Sequence, residues 1–254
     1  MASDDGARPR APSARARRRA TWFAIPGIMI LLALGSWQVH RLMWKTELNE
    51  ERLSRFQAEA VMLPDALDDA APLVWHRVWL EGRFHHEAEM FLAARTHDRR
   101  VGYQIVTPFE REGGAAVLVN RGWVPLESKD PATRLGGQIG GTIRLEGVVV
   151  PAGRAGWFTP DNEPEQNLWF WTDTESLAAK AGIPAPAFLV DAGPAPNPGG
   201  LPIGGQTKVE LRSEHMQYIV IWYALAVSLA VIYAIYMRRG RHPDEADESG
   251  GRAG

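Results

Sequence analysis

The sequence predicts a membrane protein of the α+β class, with two transmembrane helices flanking an outer, antiparallel β-rich domain, barrel- or sandwich-like, with one or two short helices. Three observations lead to it. Two apolar runs without an ionisable side chain lie one near each end, Trp22 to Val39 and Ile219 to Met237. Arginines cluster on the outer flank of both runs. The stretch between them breaks into short alternating segments punctuated by Gly and Pro, the pattern of small β-domains. The mean composition does not carry this reading, because the hydrophobic content of 45% is ordinary.

Residues 1–21, rich in Ala, Arg, Pro and Asp, read as a disordered cytoplasmic arm. Residues 22–39 form the first membrane helix, about 27 Å long at 1.5 Å per residue, just enough for the hydrocarbon core. Pro26 is expected in its first turn, where a missing N–H costs little. The domain between the anchors spans residues 40–218. It opens with an amphipathic helix over 40–60, because Trp44, Leu48, Phe56 and Ala60 recur at helical spacing and Pro64 ends the stretch. Strands are expected at 77–84, 89–95, 102–109, 115–124, 142–150, 168–171, 187–191 and 207–211, with a hairpin turn at Gly113-Gly114 and a helix over 174–181. In 77–84, Val78, Leu80, Gly82 and Phe84 share one side. The second membrane helix covers 219–237, and residues 238–254 form a cytoplasmic tail.

Orientation follows the basic residues. The terminal flanks carry Arg8, Arg10, Arg15, Arg17, Arg18 and Arg19, and Arg238, Arg239, Arg241 and Arg252. The inner flanks carry only Arg41, Lys45, Arg52, Lys208 and Arg212. Both helices therefore place the termini in the cytoplasm and the central domain outside. Asp4 and Asp5 in the short arm argue against a transit peptide, so a bacterial inner membrane is expected.

Chemistry is constrained by what is missing. With 28 basic and 30 acidic residues there is no electrostatic case for nucleic acid. With no cysteine there is no disulfide, iron–sulfur or thiolate metal site. HExxH, GxSxG and a phosphate loop are absent, and Asp161 and Glu163 read as a solvated loop. His85 and His86, adjacent on a strand, point to opposite faces and are not expected to share a metal. The informative region is the outer membrane boundary. His215, Tyr218 and Trp222 stand at i, i+3 and i+7 on one helix, and Trp37, Arg41 and Trp44 at i, i+4 and i+7 on the other. An imidazole, aromatic walls and guanidinium groups suit an amphipathic anion such as haem. Its propionates would pair with Arg41 or Arg212, and the imidazole would hold iron axially. The bland alternative is a set of interface anchors facing lipid headgroups.

The stretch GSWQVHRLMWK, with Gly35, Trp37, Gln38, Arg41, Trp44 and Lys45, resembles the opening signature of the Surfeit locus protein 1 family. Arg77, Val78, Gly82 and Phe84 resemble its first outer strand. Gly102-Tyr103 with Thr107-Pro108 matches its next signature, and Asn120 to Pro125 (NRGWVP) its central one. Trp157-Phe158, Asn162 and Trp169 fit a later motif. Glu210, Arg212, His215, Gln217, Tyr218, Trp222 and Tyr223 resemble its entry into the second membrane helix. The resemblance spans Gly35 to Tyr223.

It implies an assembly factor, not an enzyme, for haem-copper cytochrome c oxidase. Such a protein binds haem a transiently and presents it to the catalytic subunit, with that subunit and the haem a synthesis enzyme as partners. His215 matches the candidate iron ligand, with Arg41, Arg212, Trp37, Tyr218 and Trp222 around it. Ser213-Glu214 stands where the family often has asparagines, so the partner that orients the imidazole is left open. The NRGWVP motif is expected to shape a turn and pack the core. Ala33-Leu34-Gly35 is similar to a signal-peptidase site, but an uncleaved anchor is the expectation. The alternative function is a cofactor-free membrane scaffold for an oxidase assembly intermediate.

Overall fold

The computed structural model describes residues 13–66, 72–185, 187–209 and 215–239. Three α-helices are present among the described residues: α1 (Ala14–Gln57), α2 (Thr174–Ala181) and α3 (His215–Arg239). Eight strands are described: β1 (Val61–Met62), β2 (Arg77–Phe84), β3 (Met90–His97), β4 (Arg100–Arg111), β5 (Val117–Pro125), β6 (Ile143–Pro151), β7 (Leu168–Trp169) and β8 (Phe188–Ala192). They divide into a helical unit, containing α1 as far as Leu48 together with α3, and a β unit that begins at Asn49.

In the helical unit, α1 and α3 are both long and apolar enough to cross a membrane. α1 begins well before the apolar run. Residues 14–21, read from composition as part of a disordered arm, are helical, because Ala and Arg are strong helix formers and the Ser13 hydroxyl accepts from Ala16 N–H at 3.3 Å. Pro26 is consequently inside the helix rather than in its first turn, a position that membrane helices tolerate when neighbours re-satisfy the backbone. Residues 1–12, Arg212 and residues 240–254 lie outside the described residues.

The two helices pair antiparallel. Thr21, Ala24, Ile28, Leu31, Gly35 and Gln38 on α1 are each at least partly covered, as are His215, Ile219, Trp222, Ala226, Leu229 and Tyr233 on α3. Both sets alternate steps of three and four residues, the spacing of a left-handed seam. Glycines on α1 leave room for large side chains of α3. A Cβ at Gly35 would lie 3.1 Å from the Tyr223 ring, and one at Gly27 3.2 Å from Leu229. Hydrogen bonds tie the seam along its length, Thr21 to the Tyr233 hydroxyl at 2.8 Å and Ser36 to the Tyr223 hydroxyl at 3.2 Å. Small residues and interhelical hydrogen bonds are what associate helices where lipid removes the hydrophobic drive.

The β unit is a small closed barrel. The strand order β1-β2-β6-β8-β5-β4-β3-β7 is closed by an additional β2–β4 pairing. Three pairs are parallel, β1–β2, β3–β7 and β5–β8, and the others antiparallel. Alternation within one strand serves two layers. Val117 and Val119 of β5, with Phe188 and Val190 of β8, join the cluster that includes Val78, Leu80 and Phe109. Leu118 and Leu189 enter a second cluster with Leu177 and Ala178 of α2. Burial on both faces explains why all nine residues of β5 are buried. α2 is bounded by Asp173, whose carboxylate accepts from Ser176 N–H, and by Gly182 in the left-handed region, an N-cap and C-cap pair. The expected strand over 207–211 is not formed at 207–209. Both neighbours of β8 are already in place, and Thr207 instead donates to Asp191 at 2.9 Å. The expected strand at 168–171 shortens to β7.

Gly122 locks the central motif. It has φ +121°, and a Cβ there would lie 2.0 Å from the Ile203 carbonyl oxygen. Gly122→Ala is expected to cost the β unit about 2–5 kcal/mol, from a backbone clash plus a strained φ. Gly113→Ala is the control, since that turn glycine (φ +82°) has nothing within 4 Å of the added carbon and should lose only the conformational part, about 1–2 kcal/mol. Urea unfolding of both variants measures the difference.

Candidate cofactor site on the helix pair

His215 opens α3. Its Nδ1 lies 2.7 Å from Oε1 of Gln38 on α1. A carbonyl oxygen can only accept, so Nδ1 carries the proton and donates. The neutral ring then has its lone pair on Nε2. That atom is buried and has no hydrogen-bond partner among the described residues. The site is therefore an imidazole fixed in tautomer and ring plane by one neighbour, with its basic nitrogen unused.

The residues expected around it separate into two groups. Trp222 lies with His215 on the partly covered stripe of α3, and Tyr218, beside that stripe, is 46% exposed. Trp37 and Trp44 are 57% and 46% exposed. The Arg41 guanidinium lies over the Trp44 ring at 4.1 Å from its centroid. Trp37, Arg41 and Trp44 form a stripe one residue, about 100°, off the seam. The hydrogen bond that joins His215 to α1 runs to Gln38. Gln38 stands within the opening motif GSWQVHRLMWK, where its residue type alone signals no ligand chemistry. Its helical phase with Gly35 and Leu31 was the available signal.

The β unit holds a separate buried polar network. A bulge between Ile105↔Gly122 and Val106↔Asn120 makes Arg121 an extra residue, a device that re-aims a side chain. Arg121 is buried, donates to the Gly137 carbonyl, and lies over the Phe84 ring at 4.7 Å. Its pKa is lowered to about 10, chiefly by burial, with Glu89 opposing and Arg134 adding to the fall. His86 Nε2 donates to the Ile139 carbonyl at 2.9 Å, so its Nδ1 accepts from Arg121 at 3.2 Å. Burial lowers the His86 pKa. These contacts tie the motif into the packing of the β unit. Trp123 likewise donates from Nε1 to the Arg95 carbonyl at 3.0 Å.

His85 points the other way, to Glu87 at 3.0 Å and Glu110 at 2.9 Å. Hydrogen bonds donated to Glu87, and then to Glu110, raise its pKa above the ordinary 6.5. A base whose folded pKa is raised stabilises the fold fully below its unfolded value, and that contribution is lost as pH rises through the folded value. The unfolding free-energy gap between wild type and His85→Gln should therefore be larger at pH 5.5 than at pH 8, as denaturant titrations at the two pH values would measure. A gap independent of pH would contradict it. Among the described residues no group of three His, Asp or Glu side chains is arranged to hold a metal.

Comparison with known proteins adds a lineage to this geometry. The SURF1 family profile matches residues 26–227. The chain is 35% identical over 232 residues to the SURF1-like protein of Monosiga brevicollis, covering 86% of this chain and 88% of that one. It is 38% identical over 223 residues to Surfeit locus protein 1 of Homo sapiens, covering 82% and 74%. With Surfeit locus protein 1 of Rattus norvegicus it shares 36% over 227 residues, covering 84% and 74%.

Proposed function

The chain belongs to the SURF1 family, and from that premise we propose that it is an assembly factor for haem-copper cytochrome c oxidase that holds haem a on the helix pair and presents it to the catalytic subunit. The observation that carries the reading is His215, whose Nδ1 is bound to Gln38 and whose buried Nε2 has no partner among the described residues. A polar atom left unsatisfied away from water is costly, and a ligating histidine needs its other ring nitrogen held. Both conditions suit an axial ligand for haem iron. The bound haem would bring the redox-active iron that the oxidase needs. The protein's own part is to orient one imidazole, wall the site with Trp222 and the Tyr223 ring, and offer cations. Arg41, exposed on α1, suits a propionate, and Arg212 is the second candidate. Trp37 and Tyr218, both exposed, suit the outer contacts with ligand or headgroup.

A single imidazole fits transient holding, since the ligand must leave for the catalytic subunit. The arginine-rich outer flanks of both helices support an orientation with both termini in the cytoplasm and the β unit outside, in a bacterial inner membrane. Haem a would arrive from its synthesis enzyme in the same bilayer.

The test is co-expression with the haem a synthesis enzymes, then purification of wild type and His215→Ala. Haem a content, read from the visible spectrum, is expected to fall at least about tenfold in the variant, the scale of losing a metal-ligand contact. Equal content in both removes His215 from the account. Wild type without haem that still co-purifies with the catalytic subunit supports the scaffold reading instead.

A further inference from the structure

The β unit carries a second cleft, of about 470 Å³, a size typical of small-molecule sites. Its construction is unusual for a passive groove. β3 breaks register between Leu92 and Arg95, and Ala94 within the bulge has φ +54°. Trp75, on the opposite approach, has φ +71°. Both residues line the cleft, and outside glycine such a backbone is disfavoured. Strain of this kind concentrates where a side chain must be aimed.

What the bulge aims is Arg95. Its Nη2 donates a long bond to the Phe170 carbonyl at 3.3 Å, and its Nε is buried without a partner among the described residues. Gln104, also in the lining, has no side-chain hydrogen bond among the described residues. Lys208 adds a second cation at the rim. The one carboxylate, Asp191, is already engaged at both oxygens, by Asn120 at 3.0 Å and Thr207 at 2.9 Å. The lining therefore carries two cations against one anion, a net charge of plus one, with donors left over and an indole on one wall.

We propose that this cleft binds a monoanionic oxyacid group, a carboxylate or a phosphodiester, with Arg95 and Lys208 taking the charge, Gln104 donating a hydrogen bond, and Trp75 packing against the body of the ligand. A dianion would exceed the charge that the lining supplies. The site involves none of the residues assigned to the helix pair.

The test is calorimetric titration of sodium benzoate into the full chain in dodecyl maltoside micelles, which carry no phosphodiester. Saturable binding is expected, weakened about tenfold or more in Arg95→Gln, the worth of one charged hydrogen bond, and less in Lys208→Gln. His215→Ala should bind benzoate like wild type, which separates this proposal from the haem reading. Nanodiscs containing phosphatidylglycerol distinguish the source of the anion. Weaker apparent benzoate binding there assigns the cleft to a lipid phosphodiester, and unchanged binding assigns it to a soluble carboxylate. Absence of saturable binding, or equal affinity in wild type and a folded Arg95→Gln, overturns the proposal. If Arg95→Gln does not fold, Gln104→Leu and Lys208→Gln decide on the same criterion.

Discussion

Gln38→Leu is expected to lower haem a retention about 10–100-fold, the usual cost of removing the group that orients a metal-bound histidine, while leaving the helices paired. Leucine is one atom shorter but of comparable bulk and suits lipid, and it cannot accept from Nδ1 of His215. The ring is then free to turn, or to move its proton to Nε2 and block the ligating lone pair. The lost interhelical bond is itself small, about 0.6 kcal/mol on average in membrane proteins, and the Ser36–Tyr223 and Thr21–Tyr233 bonds remain. Gln38→Glu, which retains an acceptor, should keep most of the haem. Haem a content after co-expression measures all three proteins. Full retention by the leucine variant would mean that Gln38 orients nothing.

The second large effect is in the β unit. Glu89 and Arg134 form a bidentate pair whose side chains are 4% and 1% exposed. Arg121 is near enough that the charge of Glu89 holds its pKa up while Arg134 pulls it down. Glu89→Leu leaves two buried guanidinium groups facing each other without their anion. The expected loss is about 3–5 kcal/mol, as for other buried pairs broken on one side, a large share of an ordinary domain's stability. Glu89→Leu combined with Arg134→Leu should recover much of it, because both charges are gone and the volume is refilled. Urea unfolding of the two variants and the wild type provides the comparison. A single variant as stable as wild type would show that the pair is not what neutralises Arg121.

Much of this architecture was legible because local patterns and global fold agree. The two charge-free runs became α1 and α3. The alternation of Val78 and Leu80 placed one face of β2 in the core. The helix at 174–181 is bounded by the capping residues its sequence carries. What was not legible depends on neighbours remote in sequence. The two residues of β1 are too short to show a period and exist only as a parallel addition to β2. The stretch 207–209 alternates well but finds no free strand edge. At the helix pair, spacing put Trp37 and Arg41 on a common face but could not say which face meets α3. That was decided by Gly35 against Tyr223, a contact 188 positions apart in the chain. The aromatic and cationic residues announced a membrane boundary, whereas the glutamine that holds the histidine was chemically quiet.

Pulsed electron paramagnetic resonance on the ferric haem-loaded full chain, with histidine labelled by ¹⁵N, reads the iron's axial nitrogen directly. The account predicts coupling to one imidazole nitrogen in wild type that disappears in His215→Ala. Coupling that persists unchanged in that variant, or bound haem a with no histidine nitrogen on the iron in wild type, would contradict it.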